Sequence, residues 1–467
     1  MDELTQYSFL YHLSSALILL LIFIIAYTIA KTSILRRFYL PVALVAGIII
    51  LIIGPQVLGN TYPEWGIYLE DFYKTWQILP GILINIVFAC LFLGHPILKL
   101  KKMWKSAGRQ VVFGQTVAWG QYVVGGLVTL LILIPFFDNT PMIASLLEVS
   151  FEGGHGTVAG LTPLFNDYGF PEARDLGNGL ATLSLISTLI IGLFLINWAH
   201  RRGHIARERG LIPRAKDKFY HHTLMHGIIE KTAEIQDRKL TIWKVIRQVL
   251  LVGAAVGLGF AIRAILIAIE DITWGQSGVK ILGYVPSFSM CIFGGIIVNI
   301  ICNKLKINMS MTANSMISTL ALGVLIMTAV GTMSLEFFSD PSLASSFWIL
   351  YVAGAAWILF MVLYVSRKIF VRHWFQNTIV SFGQAMGMTA TGLLFAQMVD
   401  PKKETGVVEA FGYKQMMFEP FMGGGLVTAM AIPLIFVLGL PIFTIICAVI
   451  MIGWLVFGHF KLNRSHN

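Results

Sequence analysis

Charged residues are scarce in this chain. Asp, Glu, Lys and Arg together make up 12% of its 467 residues, against roughly 25% in a typical soluble domain. A water-facing surface cannot be covered with so few charges, so a soluble globular protein is excluded. Cysteine is also sparse. Cys90, Cys291, Cys302 and Cys447 show no C-x-x-C spacing and sit in or beside apolar runs, where cysteine acts as a small buried packer rather than part of a disulfide or metal framework. Phosphate-binding and nucleophile motifs are missing too: no Walker A loop, no G-x-G-x-x-G fingerprint and no nucleophile elbow. ATP-driven pumping and hydrolase chemistry therefore have no support. No cleavable leader is expected, because Asp2 and Glu3 precede the first apolar run where a signal peptide carries basic residues.

What the chain has in abundance is hydrophobic residues, 56% of its length, many of them in long runs such as 13–30 and 249–269. About 20 residues at about 1.5 Å rise cross a hydrocarbon core of about 30 Å. The runs do not alternate apolar with polar residues, so the spans are helices and not barrel strands. Spans are expected over 11–30, 40–58, 79–98, 110–135, 177–198, 249–269, 284–302, 315–335, 346–366, 421–438 and 441–458. The last two are separated at Leu440 and Pro441, because a single helix over both would be too long for a bilayer.

The formal net charge of +10 invites a nucleic-acid reading, but its distribution argues against one. With the N-terminus placed outside, thirty of the 34 lysines and arginines fall in cytoplasmic segments. Lys402, Lys403 and Lys414 are counted in the last cytoplasmic loop, and only Lys74, Arg174 and Lys280 lie outside. This is the positive-inside pattern. It places the C-terminus and a basic linker, 199–248, in the cytoplasm.

The linker divides the chain into 1–198 and 249–467. Five spans precede it, so a second copy of the same unit must insert upside down, as in inverted-repeat transporters. Each half carries a glycine-rich segment after its fourth span. The first, within 140–165, reads Ser150-Phe151-Glu152-Gly153-Gly154-His155-Gly156-Thr157, followed by Gly160-Leu161. The second, within 375–398, reads Ser381-Phe382-Gly383-Gln384-Ala385-Met386-Gly387-Met388-Thr389-Ala390-Thr391-Gly392-Leu393. Glycine lets a chain turn and present free N–H and C=O groups to a ligand. At membrane depth such backbone is tolerated only inside protein or beside a wet cavity. Half-helix N-termini there attract carboxylates, and exposed carbonyls coordinate sodium. The expected fold is thus an all-α polytopic membrane protein. It has two inverted-topology repeats of about five transmembrane helices, each with a re-entrant hairpin, plus a C-terminal helix.

The Gly153-Gly154-His155-Gly156-Thr157 signature, the second glycine/threonine hairpin and the five-plus-five plan resemble the bacterial sodium/glutamate symporter family, over about residues 40–440. The resemblance implies sodium-driven import of glutamate across the bacterial inner membrane, two re-entrant loops and a homodimer. It implies Na+ as the coupling ion and no organic cofactor. The chain departs from the family pattern in its large basic central loop, in Glu152 directly before the Gly-Gly-His-Gly core, and in Gln384 and Met386 within the second hairpin.

Several side chains carry candidate roles. Glu148 and Glu152, four apart, share a helical face; with Ser150, Ser381 and Gly387 they are candidate sodium or coupling positions, the alternative for the two carboxylates being a solvated outer mouth. His155, between glycines, either binds a substrate carboxylate or fixes the turn. Gly153, Gly154, Gly156, Thr157, Gln384, Thr389 and Thr391 are candidates for substrate contact, though threonine also bonds back to helical carbonyls. Arg263, the only Lys or Arg inside a span, either pairs with a substrate carboxylate or reaches back to the surface beside Glu270. His221, His222 and His226 read as part of a solvated basic loop rather than a metal site. A citrate- or malate-type hydroxycarboxylate symporter is the second carrier reading. A channel is the reading from a different class, and it usually shares one central pore among subunits.

Overall fold

The computed structural model describes residues 9–31, 39–94, 100–205, 240–273, 282–401 and 404–464. Among these residues the chain is helical throughout and has no strand. The first half comprises α1 (Phe9–Ala30), α2 (Val42–Ile53), α3 (Pro63–Cys90) and α4 (Leu100–Val128). It continues with the short α5 (Leu146–Phe151), α6 (Gly154–Asp167) and α7 (Ala173–Arg201). The second half comprises α8 (Ile242–Ile272), α9 (Ser287–Lys304), α10 (Met311–Gly331), α11 (Pro341–Phe360), α12 (Trp374–Ala385) and α13 (Thr389–Val399). It ends with α14 (Val407–Phe418), α15 (Leu426–Leu438) and α16 (Leu440–Arg464).

Eight helices among the described residues are long and apolar enough to cross a membrane, and each coincides with an expected span. The three other expected spans take different forms. The span at 40–58 shrinks to 12 residues, because Gly54 and Pro55 end α2; at about 1.5 Å per residue that is about 18 Å, short of the hydrocarbon thickness. The span at 79–98 is the C-terminal part of the 28-residue α3, whose first turns carry Glu64, Glu70, Asp71 and Lys74. The span at 421–438 is the 13-residue α15. The division between the last two spans holds: Gly439 adopts φ +80° and separates α15 from α16. Most of the basic linker, including His221, His222 and His226, lies outside the described residues.

Local chemistry accounts for several helix starts. Asp340 caps α11 through the Ser342 and Leu343 amides, with Pro341 at the first helical position. Ser310 caps α10 through the Ala313 amide at 3.1 Å. Lipid-facing positions are apolar and exposed, as at Leu17, Leu20 and Leu21 on α1 or Ile445, Val449 and Ile452 on α16. Buried polar positions are bonded across helices: Trp76 donates to Ser15, and Asn314 to the carbonyls of Cys90 and Leu93.

Packing sorts the helices into two groups. One gathers α1, α2, α3, α8, α9 and α10, the first three of these helices in each half. The other gathers α4, the broken segments, α7, α11, α14 and α16. α6 is the main bridge between them, lying against α3 and α10. The fourth span of each half also carries a single π-helical stretch, Thr129–Leu133 after α4 and Met361–Val365 after α11. Each stretch lies shortly before that half's glycine-rich segment. Such π turns concentrate near functional sites.

One expectation is overturned here. Lys414, counted above with a cytoplasmic loop, is fully buried in α14. The segment following the second broken element folds back as a helix against α4 instead of running through water. Its 12 residues are too few for a span, so a search for long apolar runs passes over it.

Candidate transport site between the broken helices

Both glycine-rich segments are helices interrupted in the middle. In the first, α5 stops at Phe151, and α6 begins at Gly154, which adopts a left-handed φ of +69°. In the second, α12 and α13 are separated by Met386, Gly387 and Met388 and then lie side by side. Glycine is required at that contact. A Cβ on Gly383 would stand 2.8 Å from the Gly392 backbone, and one on Gly387 2.6 Å from the Gly383 carbonyl.

A third irregular stretch joins these two, between α14 and α15. Gly423 and Gly424 have φ +67° and +103°. A Cβ on Gly424 would meet the Thr157 hydroxyl at 2.4 Å, so only glycine lets this turn approach the first break.

Side chains from all three stretches converge. Gln384 donates its amide to Glu152, a direct bond between segments 232 residues apart in sequence. The carbonyl of the same amide accepts from Lys414 Nζ at 2.7 Å. Lys414 also donates to Gln415 Oε1 at 2.7 Å, and Gln415 in turn donates to Glu419 and to Thr389. Thr389 completes this ring by donating to Glu419 at 3.0 Å. Below it, Glu148 accepts from the Tyr122 hydroxyl at 2.6 Å, the Thr428 hydroxyl at 2.9 Å and the Gly423 amide at 3.0 Å.

The two acids of the first segment therefore differ in kind. Both are buried, which removes the solvated-mouth alternative. Glu148 receives three donors and is satisfied as an anion. Glu152 has one oxygen on Gln384, while its Oε1 is buried with no hydrogen-bond partner. Ser150, also buried, has an unpartnered hydroxyl.

The other candidates are placed as follows. His155 is buried and bonds Thr182 on α7 through Nε2 at 2.9 Å. Thr157 bonds back to the Gly153 carbonyl, and Ser381 to that of Asn377. Thr391 is buried in α13. Gly156 packs against Ile84, where a Cβ would come within 2.5 Å of its side chain. Arg263 stands apart from this convergence. Its guanidinium donates to the Val285 and Gly283 carbonyls at 2.7 and 2.8 Å, and Glu270 accepts the Leu282 and Gly283 amides. These bonds fasten the turn entering α9 and lie beside a cavity of about 760 Å³ lined by Gly160, Asp167 and Phe260.

Lys414, Gln415, Glu419, Tyr122, Thr428 and the Gly423–Gly425 turn went unremarked in the sequence as site residues. The run of three glycines was a visible signal for the turn; the side chains gave none, since only the fold brings them beside Glu152.

The chain matches the sodium/glutamate symporter family profile over residues 8–404. No curated protein matches it. Both broken segments lie inside the matched range, while Lys414, Gln415 and Glu419 lie beyond it. With most of its length matched, and with the Gly-Gly-His-Gly-Thr segment at the break in a helix directly after Glu152, the chain belongs to the sodium/glutamate symporter family.

Proposed function

We propose that this protein imports glutamate, or a closely related anionic amino acid, across the bacterial inner membrane by sodium-coupled alternating access. In this reading the two halves are inverted repeats, and their broken helices enter from opposite faces of the membrane. Family membership supports the reading, as does the matching π turn before each broken segment.

The observation that carries it is the charge balance where the segments meet. Two carboxylates, Glu152 and Glu419, flank a single ammonium, Lys414, through Gln384 and Gln415, and a third, Glu148, lies one helical turn from Glu152. With its acids ionised, such a cluster at membrane depth repels an anionic substrate unless cations enter with it. Sodium supplies that charge, and the unpartnered Glu152 Oε1 is where we place one coupling ion. The substrate carboxylates are taken by backbone N–H groups at the starts of α6 and α13, where helix dipoles favour negative charge.

The test is uptake of labelled glutamate into proteoliposomes of the purified protein. An inward sodium gradient should drive accumulation above equilibrium, and an equal potassium gradient should not. Equal uptake under both gradients rejects sodium coupling; no glutamate uptake under either rejects the substrate.

A further inference from the structure

Lys414 occupies an unusual position. It is fully buried, on a helix that packs against α4, and Gly114 on α4 makes the room: a Cβ there would lie 2.6 Å from the lysine Cε. Its ammonium has three N–H donors, and two hydrogen-bond acceptors and two aromatic rings surround it. The acceptors are amide oxygens, Gln384 Oε1 and Gln415 Oε1, each at 2.7 Å; the rings are Phe418 and Phe411, 3.7 and 5.9 Å from Nζ to centroid. Both of its hydrogen-bonded partners are neutral amides rather than carboxylates. Each glutamine relays the charge, accepting from the ammonium and donating to a carboxylate, Glu152 on one side and Glu419 on the other. Carbonyl-type oxygens around a point charge, with carboxylates behind them, form the environment that a hard cation takes in a protein.

We propose that Lys414 is a tethered cation: its ammonium fills, through every stage of transport, a position between Glu152 and Glu419 that a sodium ion would otherwise have to fill. The tethered charge travels with the site and is never released, so the substrate moves with one sodium ion fewer than the carboxylates alone would demand. The empty site, too, keeps a compensating charge on its return. Lys414 and Glu419 lie past the family match, while Glu152 and Gln384 lie inside it, so the role does not follow from membership alone. It does rest on the sodium-coupled reading above.

Removing the ammonium while keeping the side-chain length should open the position to sodium. The experiment is thermal unfolding of the purified protein in detergent, without substrate, over a series of sodium concentrations at constant ionic strength with choline as the balancing ion. In Lys414→Met the sodium dependence of the midpoint should steepen, corresponding to about one more ion bound than in the parent. The double variant Lys414→Met/Glu152→Gln should fall back to the parent slope, because one carboxylate has gone with the ammonium. Sodium flux per glutamate in proteoliposomes should rise by one in the single variant. If Lys414→Met is unfolded in choline, sodium should restore it; unfolding that sodium does not reverse overturns the proposal. So does a folded variant with the parent's sodium slope. A parent protein that shows no sodium response rejects the sodium reading itself, a different failure from that of the tethered cation.

Discussion

At the scale of single residues, two glutamates four apart on one helical face have different surroundings. Glu148 joins α4 to the turn before α15 by accepting from Tyr122, Gly423 and Thr428. In Glu148→Gln one of those donors faces an NH2 group, and a buried unsatisfied donor costs about 1–3 kcal/mol. The variant should melt earlier in detergent, whatever its transport rate; an unchanged midpoint contradicts the anchoring role. Glu152 has an oxygen to spare. In Glu152→Gln the amide oxygen can still accept from Gln384, so the melting temperature should stay near the parent's while sodium-driven accumulation falls steeply. Retained accumulation with unaltered sodium dependence removes Glu152 from coupling. The sequence exposed this pair through spacing and sign. It could not rank the two, because the ranking depends on donors 26 to 280 positions away.

At the scale of elements, three interruptions of helix build the site, and each relies on glycine in its own way. Gly154 is conformational: open space surrounds its Cβ position, but its φ is +69°. Gly387 is steric, with the Gly383 carbonyl 2.6 Å from a Cβ. Gly424 is both, at φ +103° and 2.4 Å from the Thr157 hydroxyl. A left-handed non-glycine residue costs roughly 1–2 kcal/mol, so Gly154→Ala should be a modest lesion in transport. Gly424→Ala and Gly387→Val should abolish transport with membrane insertion retained, since the apolar helices that insert are untouched. Uptake and membrane abundance measured on the same vesicles separate these outcomes. Full uptake by Gly424→Ala would remove the third turn from the mechanism. The first two interruptions were legible because glycine clusters follow equivalent spans. The third was also written in glycine, but it followed a helix too short and too charged to be taken for part of the membrane domain.

For the whole molecule, the grouping of helices repeats between halves: three elements of each half on one side, and the fourth span with its broken segment on the other. The distribution of basic residues predicts the orientation. Glu70 should face the outside and Lys101 the cytoplasm; both are exposed. All four native cysteines are buried, so single cysteines at these two positions can be read against a quiet background. An impermeant maleimide added to intact cells should label Glu70→Cys and should label Lys101→Cys only after permeabilisation. Equal labelling of both from outside overturns the orientation. The buried Lys414 takes one charge away from the cytoplasmic tally and leaves the asymmetry large.

The sequence by itself determined the solvent, the helical class and the family. Scarce charge and runs of about twenty apolar residues leave a bilayer no other structure to hold, and the Gly153–Thr157 segment is contiguous in the chain. The tertiary structure alone decided which charges meet. A lysine in a loop and a lysine in a binding site are the same letter, and the count of basic residues treats them alike. Only when α14 folds onto α4, and Gln384 reaches Glu152, does Lys414 come to stand between two carboxylates. The physical reason is that an ammonium's cost and role are set by its neighbours in space, and those neighbours come from three separate breaks in helices.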